Sequence, residues 1–555
     1  MNRHSSAIVA AVVGLLCVLA IAATWPLASD PAHLSLAGPF NNDFHFNTYV
    51  VLWGAHALTT DPLSLHHTNM FWPERYTFAY SDMSLSHSLL VLPVLWLSYN
   101  PTLAINVLIL LSMVIGGTGA FLLARHVTGS DLAAVVGAVA FIFNPAHFAR
   151  HLQIQYFGDH WAPWLALGLV LWLERRTVRW ALIAALFFIL HALTGSHAAV
   201  FAALIALVLI GVYALRSGQW RESWLWRGLA TFGLLVAIVL VPIFYPYLLV
   251  HDRLVGERGD SPEVLLEGSA RARDLLTGGS RFDIWLEERW GWPSALTGGR
   301  LRAHLFPGWI LLALAALAAL RRRQPSAVQP RPGDAVAWGV LLVVCLLLAL
   351  GPPWRVYDWL AMLPGIRLIR VPSRFVLPGL LGLTMLSAFG VAALRRRLSA
   401  TVAGTLLAAA TLLFAFEATF APLSTATVSG RPDAVSAWLA GQPGDFAILE
   451  LPIQVDNLTA HSRQLLQSVF HWKKLLVGYS GWRSEAVRAR LERLNRTFPQ
   501  PRSLNELAAL GVRYLILVGG RNPPDLEDRM LRTGRLERVR QFDQIAIWEL
   551  DGPAP

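Results

Sequence analysis

The sequence predicts an α-helical, polytopic membrane protein of about eleven transmembrane helices with a small α/β domain at its C-terminal end. Three observations carry that expectation. Of 555 residues, 55% are hydrophobic and only 15% charged, where an ordinary soluble chain carries about 25% charged residues; mean hydropathy is +0.48. The apolar residues are gathered into long runs separated by arginine clusters. From about residue 430 those runs stop and short β-like stretches take over.

Charge and cysteine content narrow the class further. The formal charge is +11, and the only lysines are Lys473 and Lys474, so arginine supplies nearly all of the basic charge. Arginine at cytoplasmic helix ends already accounts for this excess, so nucleic acid is not an expected partner. Cys17 and Cys345 both fall in apolar runs, which leaves no disulfide framework and no zinc spacing.

Runs long enough to cross a bilayer lie near 6–28, 102–124, 131–145, 160–174, 177–193, 196–215, 227–249, 305–320, 334–351, 374–394 and 400–421. The first resembles a signal peptide, with Arg3 ahead of an apolar stretch. The residues after it fit a cleavage site poorly, and it is read as an uncleaved helix. Orientation follows from arginine in the short connections. A cytoplasmic N-terminus places Arg125, Arg175, Arg176, Arg179, Arg216, Arg221, Arg227, Arg321 to Arg323 and Arg395 to Arg397 inside. This holds only if 85–98 (LSHSLLVLPVLWLS), interrupted by Pro93, lies at the outer surface or re-enters. The expected home is the cytoplasmic (inner) membrane, with 29–101, 146–159, 250–304, 352–373 and everything after about 422 external. The expected domains are 1–425 in the membrane and 426–555 outside it.

The last segment has its own pattern. DFAILELPI (445–453), GVRYLILVGG (511–520) and a hairpin through ERVRQFDQIAIWEL (537–550) read as strands, with amphipathic helices at 461–472 and 484–495. About 125 residues suffice to bury a core.

Candidate chemistry gathers in the external connections. GPFNNDFHFNTYV (38–50) places Asp43 beside Asn41, Asn42 and His45, and 61–82 adds His66, His67, Trp72, Glu74, Arg75, Tyr76 and Asp82. Aromatic rings beside carboxylates and amides suit a sugar, whose C–H faces stack while its hydroxyls take hydrogen bonds. Trp72 and Tyr76 also fit an interfacial aromatic belt, and the two adjacent histidines fit a solvated loop better than a metal site. NPAHFARHLQIQYFGDHWAPW (144–164) carries His147, Arg150, His151, Gln153, Gln155, Asp159, His160 and Trp161. An ionisable pair, Asp159 and His160, at the outer end of a span marks a site, although Asp159 could instead cap the helix that follows.

In 352–375 the sequence breaks the charge rule: Arg355, Arg367, Arg370 and Arg374 crowd a short outside segment. Guanidinium groups pair bidentately with phosphate, so a lipid-linked phosphate is the expected partner, ordinary headgroup contacts being the alternative. The stretch 250–304, with Trp285, Trp290 and Trp292, reads as a lid or an amphipathic surface helix.

This layout resembles the family-C glycosyltransferase (GT-C) superfamily of multi-span enzymes that use polyprenyl-phosphate or polyprenyl-diphosphate sugars. The resemblance rests on GPFNNDFH with Asp43, the cytoplasmic turn LLARHVTGSDLAAVVGAVAF (122–141), NPAHFARHLQIQYFGDHWAPW followed by LWLERR (171–176), RLIRVPSRF, and the outer C-terminal domain. It implies Asp43 as general base and Asp159 as a second acidic residue assisting it. Many members carry paired acidic residues in the first loop; Asp43 is flanked by Asn42 and Phe44, which leaves open whether a divalent cation (Mg or Mn) is held by Asp43 and Asp159.

The expected function is inverting sugar transfer from a polyprenyl-phosphate donor to an extracytoplasmic glycan, lipid or protein in the cell envelope. Arg367, Arg370 and Arg374 would receive the phosphate, and Asn42, His45, Trp72, Tyr76, His151, Gln155 and His160 would hold sugar and acceptor. A flippase of lipid-linked glycans and a non-catalytic accessory protein are the alternatives. Few mid-span ionisable residues, no inverted repeat and one-sided polar groups favour the enzyme. No motif in 430–555 assigns a role to HWKKLLVGYSGW (471–482).

Overall fold

The structure, a computed structural model, describes residues 3–36, 42–148, 150, 153–254, 262–276, 278, 280–291, 305–320, 330–363, 365–366, 369–482 and 484–551. Arg367, His151, Asn41, Trp292 and Arg321 to Arg323 lie outside the described residues.

The membrane part is helical because backbone polar groups in hydrocarbon have no water to bond and must pair within their own helix. Among the described residues, five helices are long and apolar enough to cross a membrane: Ser5–Ala23, Pro101–Thr128, Ser196–Ser217, Ser223–His251 and Pro372–Arg395. Shorter apolar helices, including Asp131–Ile142, Val178–Ala192, Ala335–Leu350 and Ala400–Glu417, fill in between them. The chain is a multi-pass membrane protein, and each run read as a span from the sequence overlaps an apolar helix among the described residues.

The Val376–Arg395 helix is central, buried along almost its whole length between the Ala335–Leu350, Trp309–Ala316 and Asp131–Ile142 helices. Arginines at one end of the bundle are paired locally. Arg125 meets Asp131 at 2.6 Å, Arg216 meets Asp334 at 2.6 Å, and Arg176 lies over the Trp224 ring at 5.5 Å.

At the opposite end the first long connection is more structured than its polar sequence indicated. It opens with a 19-residue helix, Asn42–Thr60, and later forms a 14-residue helix, Leu85–Ser98. At 1.5 Å per residue the latter is about 21 Å long, short of a ~30 Å hydrocarbon core. Its first half is buried, whereas Trp96 and Leu97 near its end are exposed.

A two-stranded bridge, β1 (Leu34–Ser35) with β2 (Ala426–Thr427), ties the start of this connection to the exit of the last apolar helix. Beyond it stands a five-stranded sheet of order β4-β3-β5-β7-β6, with β3 Ala447–Leu451, β4 Lys474–Leu475, β5 Val512–Val518, β6 Leu536–Phe542 and β7 Ile545–Leu550. β3 pairs in parallel with β4 and β5, and β7 pairs antiparallel with β5 and β6. The strands and the 537–550 hairpin expected from the sequence are present. β3 and β5 bury nearly every residue, which is why they read as continuous apolar runs.

The C-terminal domain docks on the first connection. Its Leu458–Ser468 helix packs against Asn42–Thr60, and residues 473–477 run beside 69–72. Phe71 N–H donates to Val477 O (3.1 Å), Trp72 N–H to Leu475 O (2.9 Å), and Leu475 N–H to Asn69 O (2.7 Å).

Candidate functional site

Three polar groups lie at the end of the bundle that faces the C-terminal domain. The first is built on Asp43, in the first turn of the Asn42–Thr60 helix, where a carboxylate suits the helix dipole. Asp43 is exposed, and the Tyr479 hydroxyl donates to its Oδ1 at 2.6 Å. The Tyr479 ring stands edge-on to Phe46 with centroids 5.4 Å apart. The Ser462 hydroxyl donates to the Asn42 side-chain oxygen at 3.1 Å, while His45 is buried in the helix face beneath.

The second group is a relay from Asp82 to Arg374. Asp82 Oδ1 accepts from the Ser196 backbone N–H (2.7 Å) and hydroxyl (2.5 Å), which anchors the start of the Ser196–Ser217 helix. Gly195 makes room for this approach: a Cβ there would lie 3.1 Å from the Asp82 carboxyl carbon. Asp82 Oδ2 lies 3.1 Å from His197 Nδ1, and Arg374 Nη1 lies 2.7 Å from His197 Nε2. Arginine can only donate, so Nε2 is the acceptor and the ring proton sits on Nδ1, donated to Asp82. Burial would raise the Asp82 pKa, but the pull and hydrogen bond of His197 and the two Ser196 donors together outweigh it. They hold the carboxyl well below its usual range. Arg374 also stacks over the buried Tyr156 ring at 5.2 Å, and Arg370 lies 4.8 Å from the centroid of the Trp482 ring.

The third group surrounds Asp159 on a 3-10 segment, Ile154–Trp161, in the connection before the Ala162–Arg175 helix. That helix has no side-chain cap, so the capping role considered for Asp159 is not what the fold uses. Asp159 is buried, which pushes its pKa up to about 7, with the positive charge of Arg150 pulling the other way. His191 Nε2 lies 3.9 Å from its Oδ1. His160, from the same segment, faces the fully buried His87 ring at 5.5 Å, and Gln155 is half-buried nearby in sequence.

Of the residues expected to hold sugar, Trp72 lies at the contact with the C-terminal domain and Tyr76 in the loop leading from it. The Trp72 indole N–H donates to Leu510 O at 2.8 Å, and the Lys474 ammonium sits 3.8 Å over its ring. His67 Nδ1 accepts from the Tyr76 backbone N–H at 3.2 Å, and the two rings are 4.7 Å apart, so His67 is committed to shaping this loop. Asp43 and Asp159 have separate partners, and among the described residues no three His, Cys, Asp or Glu side chains group to hold a metal ion. His197, Tyr156, Tyr479 and Trp482 were not singled out from the sequence. A histidine one residue into a helix and an unassigned aromatic–lysine segment were the only signals.

No family model and no curated protein sequence matches the chain. Among solved structures it is similar to the crystal structure of ArnT from Cupriavidus metallidurans in the apo state, at 13% identity and a TM-score of 0.37, with 99% of each chain covered.

Proposed function

We propose that the chain is a membrane glycosyltransferase that moves a sugar from a polyprenyl-phosphate carrier to an extracytoplasmic acceptor. The observation that carries the reading is the placing of an exposed carboxylate, Asp43, and two arginines, Arg370 and Arg374, at one end of the bundle, joined by residues 479–482.

In this reading Asp43 takes the proton of an acceptor hydroxyl as its oxygen bonds to the anomeric carbon. The bond from that carbon to the carrier phosphate breaks, and the phosphate leaves with the electron pair. Attack opposite the leaving group inverts the anomeric centre. Arg370 and Arg374 neutralise the charge that develops on the phosphate. Arg374 is preset for this because His197 and Tyr156 already fix its guanidinium. The carrier's tail would lie in lipid beside the apolar helices, with the N-terminus cytoplasmic and the C-terminal domain outside. Burial raises the Asp159 pKa to about 7, so near neutral pH it passes between its protonated and ionised forms.

The test uses purified protein in lipid with a panel of polyprenyl-phosphate sugars and simple hydroxyl acceptors. Asp43→Asn and Asp43→Ala should lower turnover by about 10²- to 10⁴-fold. Arg374→Ala should raise the donor KM. Transfer that survives both Asp43 substitutions would remove the assignment. Movement of donor across the bilayer without transfer would favour a flippase.

A further inference from the structure

The segment 471–482 is built into the site and held there from several directions. On its N-terminal side, residues 473–477 are laddered to 69–72. Gly478 then crosses the Phe71 ring so closely that a Cβ would lie 2.8 Å from it. The Ser480 hydroxyl donates to Tyr80 O at 2.9 Å and accepts from the Trp482 backbone N–H at 3.0 Å. Ser484 caps the Glu485–Thr497 helix that follows. Among the described residues between these fixed points, two large side chains project: Tyr479 onto Asp43 and Trp482 onto Arg370.

We propose that this strap is a working part of the active site, in which Tyr479 is a positioning residue for Asp43 and Trp482 a positioning residue for Arg370. The inference rests on the function proposed above and deepens it: the soluble domain holds both ends of the reaction in register. An exposed aspartate at a helix start turns freely about its side-chain bonds. Among the described residues Tyr479 is the one that hydrogen-bonds its carboxylate. A phenol donating to Oδ1 fixes the rotamer and leaves Oδ2 to take the acceptor's proton. Trp482 acts on the other end. A guanidinium lying on an aromatic face is held by the ring quadrupole while its in-plane N–H groups stay directed outward, the geometry a phosphate requires. Placement matters because a misalignment of about 1 Å at the reacting atoms lowers rates by about 10²-fold.

Steady-state kinetics on the full-length protein in lipid separate the two roles. Tyr479→Phe keeps the ring against Phe46 and removes only the hydroxyl, so kcat should fall about 10- to 100-fold with the donor KM within about two-fold. Trp482→Leu should raise the donor KM about 10-fold with a smaller effect on kcat, and Trp482→Phe should restore it. A second readout does not need turnover: melting shifts of Asp43→Ala and Tyr479→Phe should be less than additive in the double variant.

Wild-type kcat in Tyr479→Phe, with transfer abolished in Asp43→Asn, overturns the positioning role and leaves the base assignment standing. Transfer that persists in Asp43→Asn overturns both. Strictly additive melting shifts overturn the contact itself, and an unchanged donor KM in Trp482→Leu overturns the role of Trp482.

Discussion

Replacing Asp82 isolates the relay that ends at Arg374. The Asp82 side chain is 10% exposed and accepts from three donors: the Ser196 amide, the Ser196 hydroxyl and His197 Nδ1–H. Each bond to a charged acceptor contributes about 1.5–3 kcal/mol net, and removing one side of a buried charged network costs about 3–5 kcal/mol. The Ser196 hydroxyl can turn to another acceptor, so Asp82→Ala is expected to fall within that range rather than at the sum. The loss is local, because the donors sit at the first turn of the Ser196–Ser217 helix. Hydrogen exchange of the amides over 196–199 should therefore quicken by about 10²- to 4 × 10³-fold. Asp82→Asn behaves differently. Its carbonyl still anchors Ser196, but its amide faces His197 Nδ1–H, donor against donor. The ring must change tautomer, and Nε2–H then faces Arg374. Exchange at 196–199 should change little while the donor KM rises as in Arg374→Ala. Because the Asp82 carboxyl is held below its usual range it stays ionised from pH 8 to 5, so its contribution is constant there and is lost only as pH falls through the lowered folded value. Unchanged exchange in Asp82→Ala would refute this account.

Asp159 gives the opposite pH behaviour. The fold favours its protonated form, so stability falls as pH rises from about 4, the unfolded value, through about 7. Asp159→Asn should flatten that slope and melt higher than wild type at pH 8; parallel curves would refute it. Trp72→Ala removes a hydrogen bond and a cation–π contact at the domain junction. It should weaken docking by roughly 2–3 kcal/mol, read as faster proteolytic release of the C-terminal domain. Gly478→Ala forces the strap off Phe71 and should lower kcat as Tyr479→Phe does, without changing the yield of folded protein.

The apolar helices were legible because length and composition alone define a bilayer span, and the buried strands because their apolar runs are short and bounded. The Asn42–Thr60 helix was not. It buries residues on nearly every side, including His45, Asn47 and Thr48, so its sequence carries no amphipathic stripe. For that reason the sequence reads as a loop at Asp43, whereas the fold puts it in the first turn of this helix. By residue type Trp72 and Tyr76 fit either sugar stacking or an interfacial belt; their pairing with Leu510, Lys474 and His67 lies outside a linear reading. The contacts that define the site join residues far apart in the chain, 436 positions from Asp43 to Tyr479 and 177 from His197 to Arg374, and no local pattern encodes such pairings.

The strap also sets an order on the birth of the protein. Asp43, Arg370 and Arg374 are all synthesised before residue 375, and each could reach its place in the bundle while the ribosome is still at work. Tyr479 and Trp482 come more than 100 residues later and reach them only once the last domain has folded against 69–72. On the proposed reading, a half-made chain already in the membrane would hold the acid–base and phosphate groups without alignment. Sugar transfer would reach its full rate only once the strap has been made and docked, which limits use of the carrier by chains that have not reached it.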